Sequence, residues 1–320
     1  MIALEPPYEK QKGRITNVTI PVMKSDIAIL SGTNLPPLLT EIPDPPEQLY
    51  VRGELPSYDW KWLAVVGSRA LSSYGKQACE YLIEGLRGYP VVIVSGLAYG
   101  TDAWAHKVAL HTGLPCVAVP GSGLDYDVMY PRANVGLAKE IISARGGSAS
   151  GGKARGGAHL SEFEPDFKAT DFSFPQRNRI MVGLTHATLV IEAKERSGSL
   201  ITARLATEYN RELLVVPGSI FSATSKGTHQ FLKLGATAVT EPEDILKALG
   251  IDVGLTKSHI IDRTDLSEIE RKVFEIIANP CARDELLTNL ALPISEANIL
   301  LSTMEIKGLI KEELGVIRIA

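Results

Sequence analysis

Residues 173–179 read Ser-Phe-Pro-Gln-Arg-Asn-Arg, a dense group of side chains able to hold a ligand. Phe174 offers an aromatic face, Arg177 and Arg179 two guanidinium forks, and Asn178 an amide, just before the apolar run Ile180-Met181-Val182. Such a set can stack a base and grip phosphate oxygens, yet it supplies neither a nucleophile nor a general base. Binding rather than catalysis is the expectation. The plainer alternative is the salt-bridged start of a helix.

Other segments carry related chemistry. Gly67-Ser68-Arg69 and Gly96 follow apolar runs, where small residues let backbone N–H groups come close to an anion. Tyr130-Pro131-Arg132 puts a cation in a loop. Ser197-Gly198-Ser199 precedes a helical stretch whose N-terminus can hold an anion. Gly67 to Lys76 fails as a nucleotide-hydrolysing loop: seven residues separate Gly67 from Gly75, and Gln77 stands where the magnesium-binding hydroxyl belongs. Gly121-Ser122-Gly123 begins a dinucleotide fingerprint, but Tyr126 occupies its third glycine position. Asp102 and His106 share a helical face, and capping and packing account for them better than acid–base work.

The elements that must position these residues come from a repeated pattern. The runs Leu63–Val66, Val91–Val94, Cys116–Val119, Leu189–Ile191 and Leu213–Val216 end in small or turn-forming residues and alternate with helix-period stretches. Continuous apolar strands between helices imply an α/β fold with a Rossmann-like parallel sheet covered on both faces. Ligands of such sheets collect beyond the carboxyl ends of the strands, where these candidate residues fall.

Around this core the 320 residues divide into a proline-rich lead-in over 1–55, expected to be extended with room for a short helix, the Rossmann-like domain over 56–250, a linker over 251–265 and a module over 266–320. Three helical stretches followed by a hairpin make that last module a small winged-helix domain. It holds nine acidic against six basic residues, so contact with protein is favoured over contact with DNA. Residues 145–158, rich in Arg-Gly-Gly, read as a surface loop. The net charge of −4 confines any nucleic-acid binding to a local basic patch. No signal-peptide pattern or spanning apolar run is present, so a cytoplasmic protein is expected, with no membrane partner. Three separated cysteines and six histidines follow no ligand spacing; no metal and no cofactor are expected.

In order and spacing, GSRALSSYG, VSGLAYGTDAWAH, YPRAN, FPQRNR, EAKERSGSLITARLA and VPGS resemble the DNA-processing protein A family, DprA, also called Smf. The resemblance covers about residues 35 to 249. It implies a non-enzymatic homodimer that binds single-stranded DNA and loads the RecA recombinase during natural transformation. It further implies DNA contacts from Ser68, Arg69, Arg132, Phe174, Arg177 and Arg179, with Gly67, Gly96 and Gly198 admitting the strand to the backbone. Asn178 and Ser199, beside those positions, complete the expected site. Two departures are the 145–158 insert and the reduced N-terminal region. The main rival is a nucleoside-monophosphate hydrolase. Against it, Leu205 occupies the position of the required glutamate and Glu208 comes a turn later. A module for a nucleotide-derived signal is the second alternative.

Overall fold

The five apolar runs become five neighbouring strands of one sheet. The computed structural model describes residues 26–143, 157–195, 197–252, 267–277, 281–290, 292–306, 309–313 and 315–319. The chain enters through β1 (Ile27–Ser31), β2 (Gln48–Gly53) and β3 (Lys61–Val66). It continues through α1 (Ser73–Glu84), β4 (Val91–Ser95), α2 (Thr101–Thr112), β5 (Cys116–Ala118), α3 (Val135–Ser143) and β6 (Ala158–Ser161). The second half runs α4 (Ser173–Gly183), β7 (Ala187–Val190), α5 (Ser199–Glu208), β8 (Glu212–Val215), α6 (Lys226–Lys233), β9 (Thr237–Ala238) and α7 (Pro242–Ala248).

The nine strands lie in the order β1-β2-β6-β5-β4-β3-β7-β8-β9. From β6 to β9 the neighbours are parallel, whereas β1 with β2 and β2 with β6 are antiparallel. The expected parallel sheet is thus mixed. The chain winds outward from β3 through β4, β5 and β6, then returns to the other side of β3 to lay down β7, β8 and β9. That reversal makes a switch point at β3 and β7, where loops from adjacent strands diverge and leave a crevice.

Both faces of the sheet are covered because strand side chains alternate. Leu63, Val65 and Ile93 enter one core with Leu82 and Ile83 of α1, Val108 of α2, Ile141 of α3 and Ile245 of α7. Trp62, Val66, Val92 and Val94 enter the other with Ile180 and Met181 of α4, Leu200 of α5 and Phe231 of α6. Helix starts carry their own signals. The Ser72 hydroxyl accepts from Gly75 N at the head of α1, and Glu241 and Asp244 form a capping box around Pro242 at α7.

The reading of residues 1–55 as an extended lead-in needs correction where the structure describes it. Residues 27–53 supply β1 and β2 to the sheet, joined by two short 3-10 helices at Gly32–Asn34 and Pro37–Glu41, so a short helix does lie here as expected but the flanking chain is paired strand. The prolines occupy this connection, where they pre-set a turn, while Leu35, Leu39 and Ile42 between them fill the second core. Residues 1–25, the 145–158 loop except for its last two residues, residues 253–265 of the expected linker and the first residue of the expected module, 266, lie outside the described residues.

Further along the chain are α8 (Glu268–Ile276), β10 (Cys281–Ala282), α9 (Arg283–Leu290), α10 (Ile294–Ile306), β11 (Ile310–Glu313) and β12 (Val316–Ile319). Their strands form a separate antiparallel sheet in the order β10-β12-β11. Val273, Leu286, Leu301, Met304 and Ile317 pack together as a core of their own.

Two stability measurements follow. Leu49 on β2 is 0 % exposed, so Leu49→Ala should lower the unfolding free energy by about 2–5 kcal/mol in a denaturant titration. A loss within a few tenths would mean that β2 is not integral to the core. Burial, followed by repulsion from His159, pushes His106 down to about 3 from 6.5. Burial and then Arg52 push His159 down to about 4. The unfolded chain therefore binds more protons than the folded one below pH 6.5. Stability present above that pH should fall as the pH drops toward 4 and 3. Each histidine contributes a slope of up to about 1.4 kcal/mol per pH unit. Urea titrations between neutral and mildly acidic pH should show this slope, and His106→Leu should reduce it.

Candidate functional site

At the carboxyl ends of β3 and β7 lies a cleft of about 590 Å³. One wall is Gly67-Ser68-Arg69, immediately after β3; another is Lys194 with Ser197-Gly198-Ser199, between β7 and α5. Phe174, Arg177 and Asn178 of α4 complete it. The loops are tied from beneath. Thr101 donates both its backbone N–H and its hydroxyl to the Ser68 carbonyl, each at 3.1 Å. Glu192, buried just past β7, accepts from Ser72 N and Oγ and from Thr224 Oγ1, which joins the loops that follow β3, β7 and β8.

Helical geometry selects which side chains of the 173–179 segment enter the cleft. Residues three and four apart share a face, so Phe174, Arg177 and Asn178 turn the same way. Arg179, two residues from Arg177, points elsewhere. It pairs with Glu162 and with Asp44 at the β1–β2 connection. Arg132 is also outside the cleft: its Nη1 donates to the Tyr126 and Asp127 carbonyls at 2.9 and 2.8 Å. Asn134 of the same segment supports the site indirectly, donating to the Leu97 and Ala98 carbonyls.

Arg177 is the unusual group. It is 5 % exposed, its Nη1 donates to the Val119 carbonyl, and its Nε–H meets no acceptor among the described residues. Burial pulls its pKa down to about 10, Asp102 opposes that fall, and Arg69 adds to it by repulsion. Asp102 is itself buried and accepts from Gly96 N and Ala98 N at 3.1 and 3.4 Å. Burial raises its pKa, while Arg177 and these N–H groups pull it back. Gly96 has a different place from the one expected. It lies against the Arg177 guanidinium, and a Cβ there would sit 1.6 Å from Nη1. The missing side chain makes room for a buried cation rather than for a ligand on the cleft wall.

Arg69 reaches over the Phe174 ring, with Cζ 5.4 Å from its centroid, and Tyr130 packs against that ring at 5.6 Å. Phe174 can seat there because Gly121 has no Cβ, which would come within 2.6 Å of the ring. No side chain caps the start of α5, where Leu200 N and Ile201 N donate to the Ser197 and Gly198 carbonyls, each at 3.1 Å, and the Ser197 and Ser199 hydroxyls pair with each other at 2.7 Å. Arg69, Arg177 and Lys194 outweigh Asp102 and Asp171 in the lining, which suits an anion with a flat, stackable part.

Of the expected residues, Gly67, Ser68, Arg69, Phe174, Arg177, Asn178, Gly198 and Ser199 line this cleft; Gly96, Arg132 and Arg179 do not. Lys194, Asp171 and Thr202 line it and were not expected. Lys194 had a visible signal, a cation three residues past a strand end and just before Ser-Gly-Ser. Among the described residues no three His, Cys, Asp or Glu side chains gather as a metal site, and no helix is long and apolar enough to cross a membrane.

Fold and site together define a doubly wound α/β protein with a cationic, ring-bearing cleft at its switch point. The chain belongs to the DNA recombination-mediator protein A family, whose model matches residues 26–250. It is 44 % identical over 214 residues to protein Smf of Escherichia coli, covering 67 % of this chain and 54 % of that one. This chain thus spans about half the length of that relative. The solved DNA processing protein A of Streptococcus pneumoniae is 40 % identical, with a TM-score of 0.60 over 68 % of this chain and 73 % of that one. The Helicobacter pylori protein, solved in a study of its single-stranded DNA binding mode, is 30 % identical with a TM-score of 0.57. That match covers 69 % of this chain and 95 % of the other.

Gly96→Ala should force the Arg177 guanidinium off the Val119 carbonyl and destabilise the protein by about 1–3 kcal/mol in a denaturant titration. An unchanged midpoint would mean that the guanidinium is not seated against residue 96.

Proposed function

We propose that this chain is a single-stranded DNA-binding recombination mediator that holds the strand in the β3–β7 cleft. The observation that carries the reading is the convergence of Arg69, Arg177 and the Phe174 ring in one cleft, from segments far apart in the chain. The Arg69 fork can grip phosphate oxygens bidentately while the buried Arg177 adds its charge from beneath, and one base stacks on Phe174. A polyanion between Arg69 and Arg177 also relieves the repulsion that acts on Arg177. A flexible strand can bend into a recessed cleft between diverging loops, and a stiff duplex cannot. Stacking accepts every base, so sequence preference is weak. The binding named for the H. pylori relative supports the same reading.

Family membership supports our proposal of a wider role: a non-enzymatic cytoplasmic homodimer that loads RecA onto the bound strand in natural transformation. Within it we assign residues 56–250, extended by β1 and β2, to the DNA-binding domain. We assign 266–320 to a winged-helix domain, in keeping with three helices and a three-stranded antiparallel sheet around a separate core. The acidic excess of that module favours a protein partner. The hydrolase alternative is weakened by Glu208, which is exposed and lines a surface groove with Asn210 and Leu234 instead of this cleft. Asp102, the buried carboxylate of the cleft, is engaged by two backbone N–H groups.

Fluorescence anisotropy with single- and double-stranded DNA at two salt concentrations tests the proposal. Wild-type protein should prefer the single strand. Arg69→Ala should weaken binding about tenfold and lower the salt slope by about one. Equal affinity for duplex, or an unaffected folded Arg69→Ala variant, would sink the assignment.

A further inference from the structure

The cleft does not end at Phe174. Tyr130, which lines the cleft, stands between Phe174 and Tyr99, with centroids 5.6 Å from the former and 6.4 Å from the latter. The two tyrosine rings meet nearly edge to face, at 84°. Three separate segments bring these rings together: the turn before α2, the loop after β5, and α4. Yet Tyr99 and Tyr130 stay 45 % and 43 % exposed. Rings gathered for core packing would be covered. These leave apolar faces in water, and large aromatics left so beside a binding cleft mark a contact surface. Tyr99 is not part of the cleft lining, so the row of rings leads outward from it.

We propose that Tyr99 and Tyr130 form a second base-stacking position, which receives a nucleotide of the same strand next to the one held on Phe174. This rests on the cleft holding single-stranded DNA. The occupant is a base for two reasons. The rings continue a surface on which a ring already lies under a guanidinium, with Arg69 over Phe174. In addition, Tyr130 lines the cleft in contact with the Phe174 ring, so a base adjoining the one on Phe174 has a continuing aromatic surface on that side. Stacking on tyrosine needs no particular hydrogen-bond pattern, so the position extends the footprint without adding sequence preference.

Tyr99 is the informative residue, because Tyr130 also supports Phe174. The test measures binding of oligothymidylates of increasing length to wild type, Tyr99→Ala, Tyr99→Trp and Arg69→Ala. On strands long enough to leave the cleft, Tyr99→Ala should lose about tenfold, and Tyr99→Trp should restore binding. On the shortest strands Tyr99→Ala should match wild type. An abasic nucleotide at the emerging position should weaken wild type by the same factor and Tyr99→Ala no further, because ring and base remove one and the same contact. Tyr99→Ala indistinguishable from wild type at every length, or weaker by one factor at all lengths, overturns the second position. If wild type binds no strand, or Arg69→Ala binds all lengths normally, the cleft reading itself fails.

Discussion

A guanidinium buried at the foot of a cleft has to be neutralised, hydrogen-bonded and given room, and the architecture around Arg177 meets the first and last demands in full and the second at Nη1 but not at Nε. Asp102 supplies the opposing charge, the Val119 carbonyl accepts from Nη1, and residue 96 has no side chain. A cation taken out of water without such compensation would cost several kcal/mol. The three groups come from the start of α2, the end of β5 and the turn after β4, so Arg177 joins the central strands at their carboxyl ends. Asp102 is in turn held by Gly96 N and Ala98 N, so the turn after β4 takes its shape from the same carboxylate.

Why the cleft lies there follows from the winding of the sheet. The reversal at β3 sends the loops after β3 and β7 apart, and α4 and α5 approach the gap from one face. Glu192 then holds the loops of β3, β7 and β8 at fixed separation through three hydrogen bonds. The positive charge of the lining is carried on rigid elements, α4 and the tied loop after β3. A site built in this way is arranged before its ligand arrives, and little ordering is left to be done on binding. The rings occupy the outer side of the same site, and Arg69 touches both parts.

The overall charge of −4 is reconciled with an anion site by segregation. Cations that might have added to the field are withdrawn into local partnerships: Arg179 with Glu162 and Asp44, Arg132 with two loop carbonyls, Arg52 with Asp26 and Asp125. What remains in the cleft is a small set, opposed by Asp102 and Asp171. A polyanion held by so few cations would release few counterions, so its affinity would depend only shallowly on salt and stacking would supply much of its strength.

Residue order alone determined the strands and their small-residue ends, because a buried parallel strand needs a continuous apolar run and a ligand edge needs compact residues after it. Helical spacing alone also places Phe174, Arg177 and Asn178 on one side and Arg179 on the other; the expectation that both arginines would share the site disregarded that 200° rotation. The strands β1 and β2 escaped notice because prolines interrupt their neighbourhood and because β2 finds its partner, β6, more than a hundred residues later. Only the tertiary structure decided which cations stay in the cleft and what Gly96 is for. Whether a charge is buried, paired or free depends on Asp102, Val119, Glu162 and Asp44, groups that lie far from the arginines along the chain and meet them only once the sheet is wound.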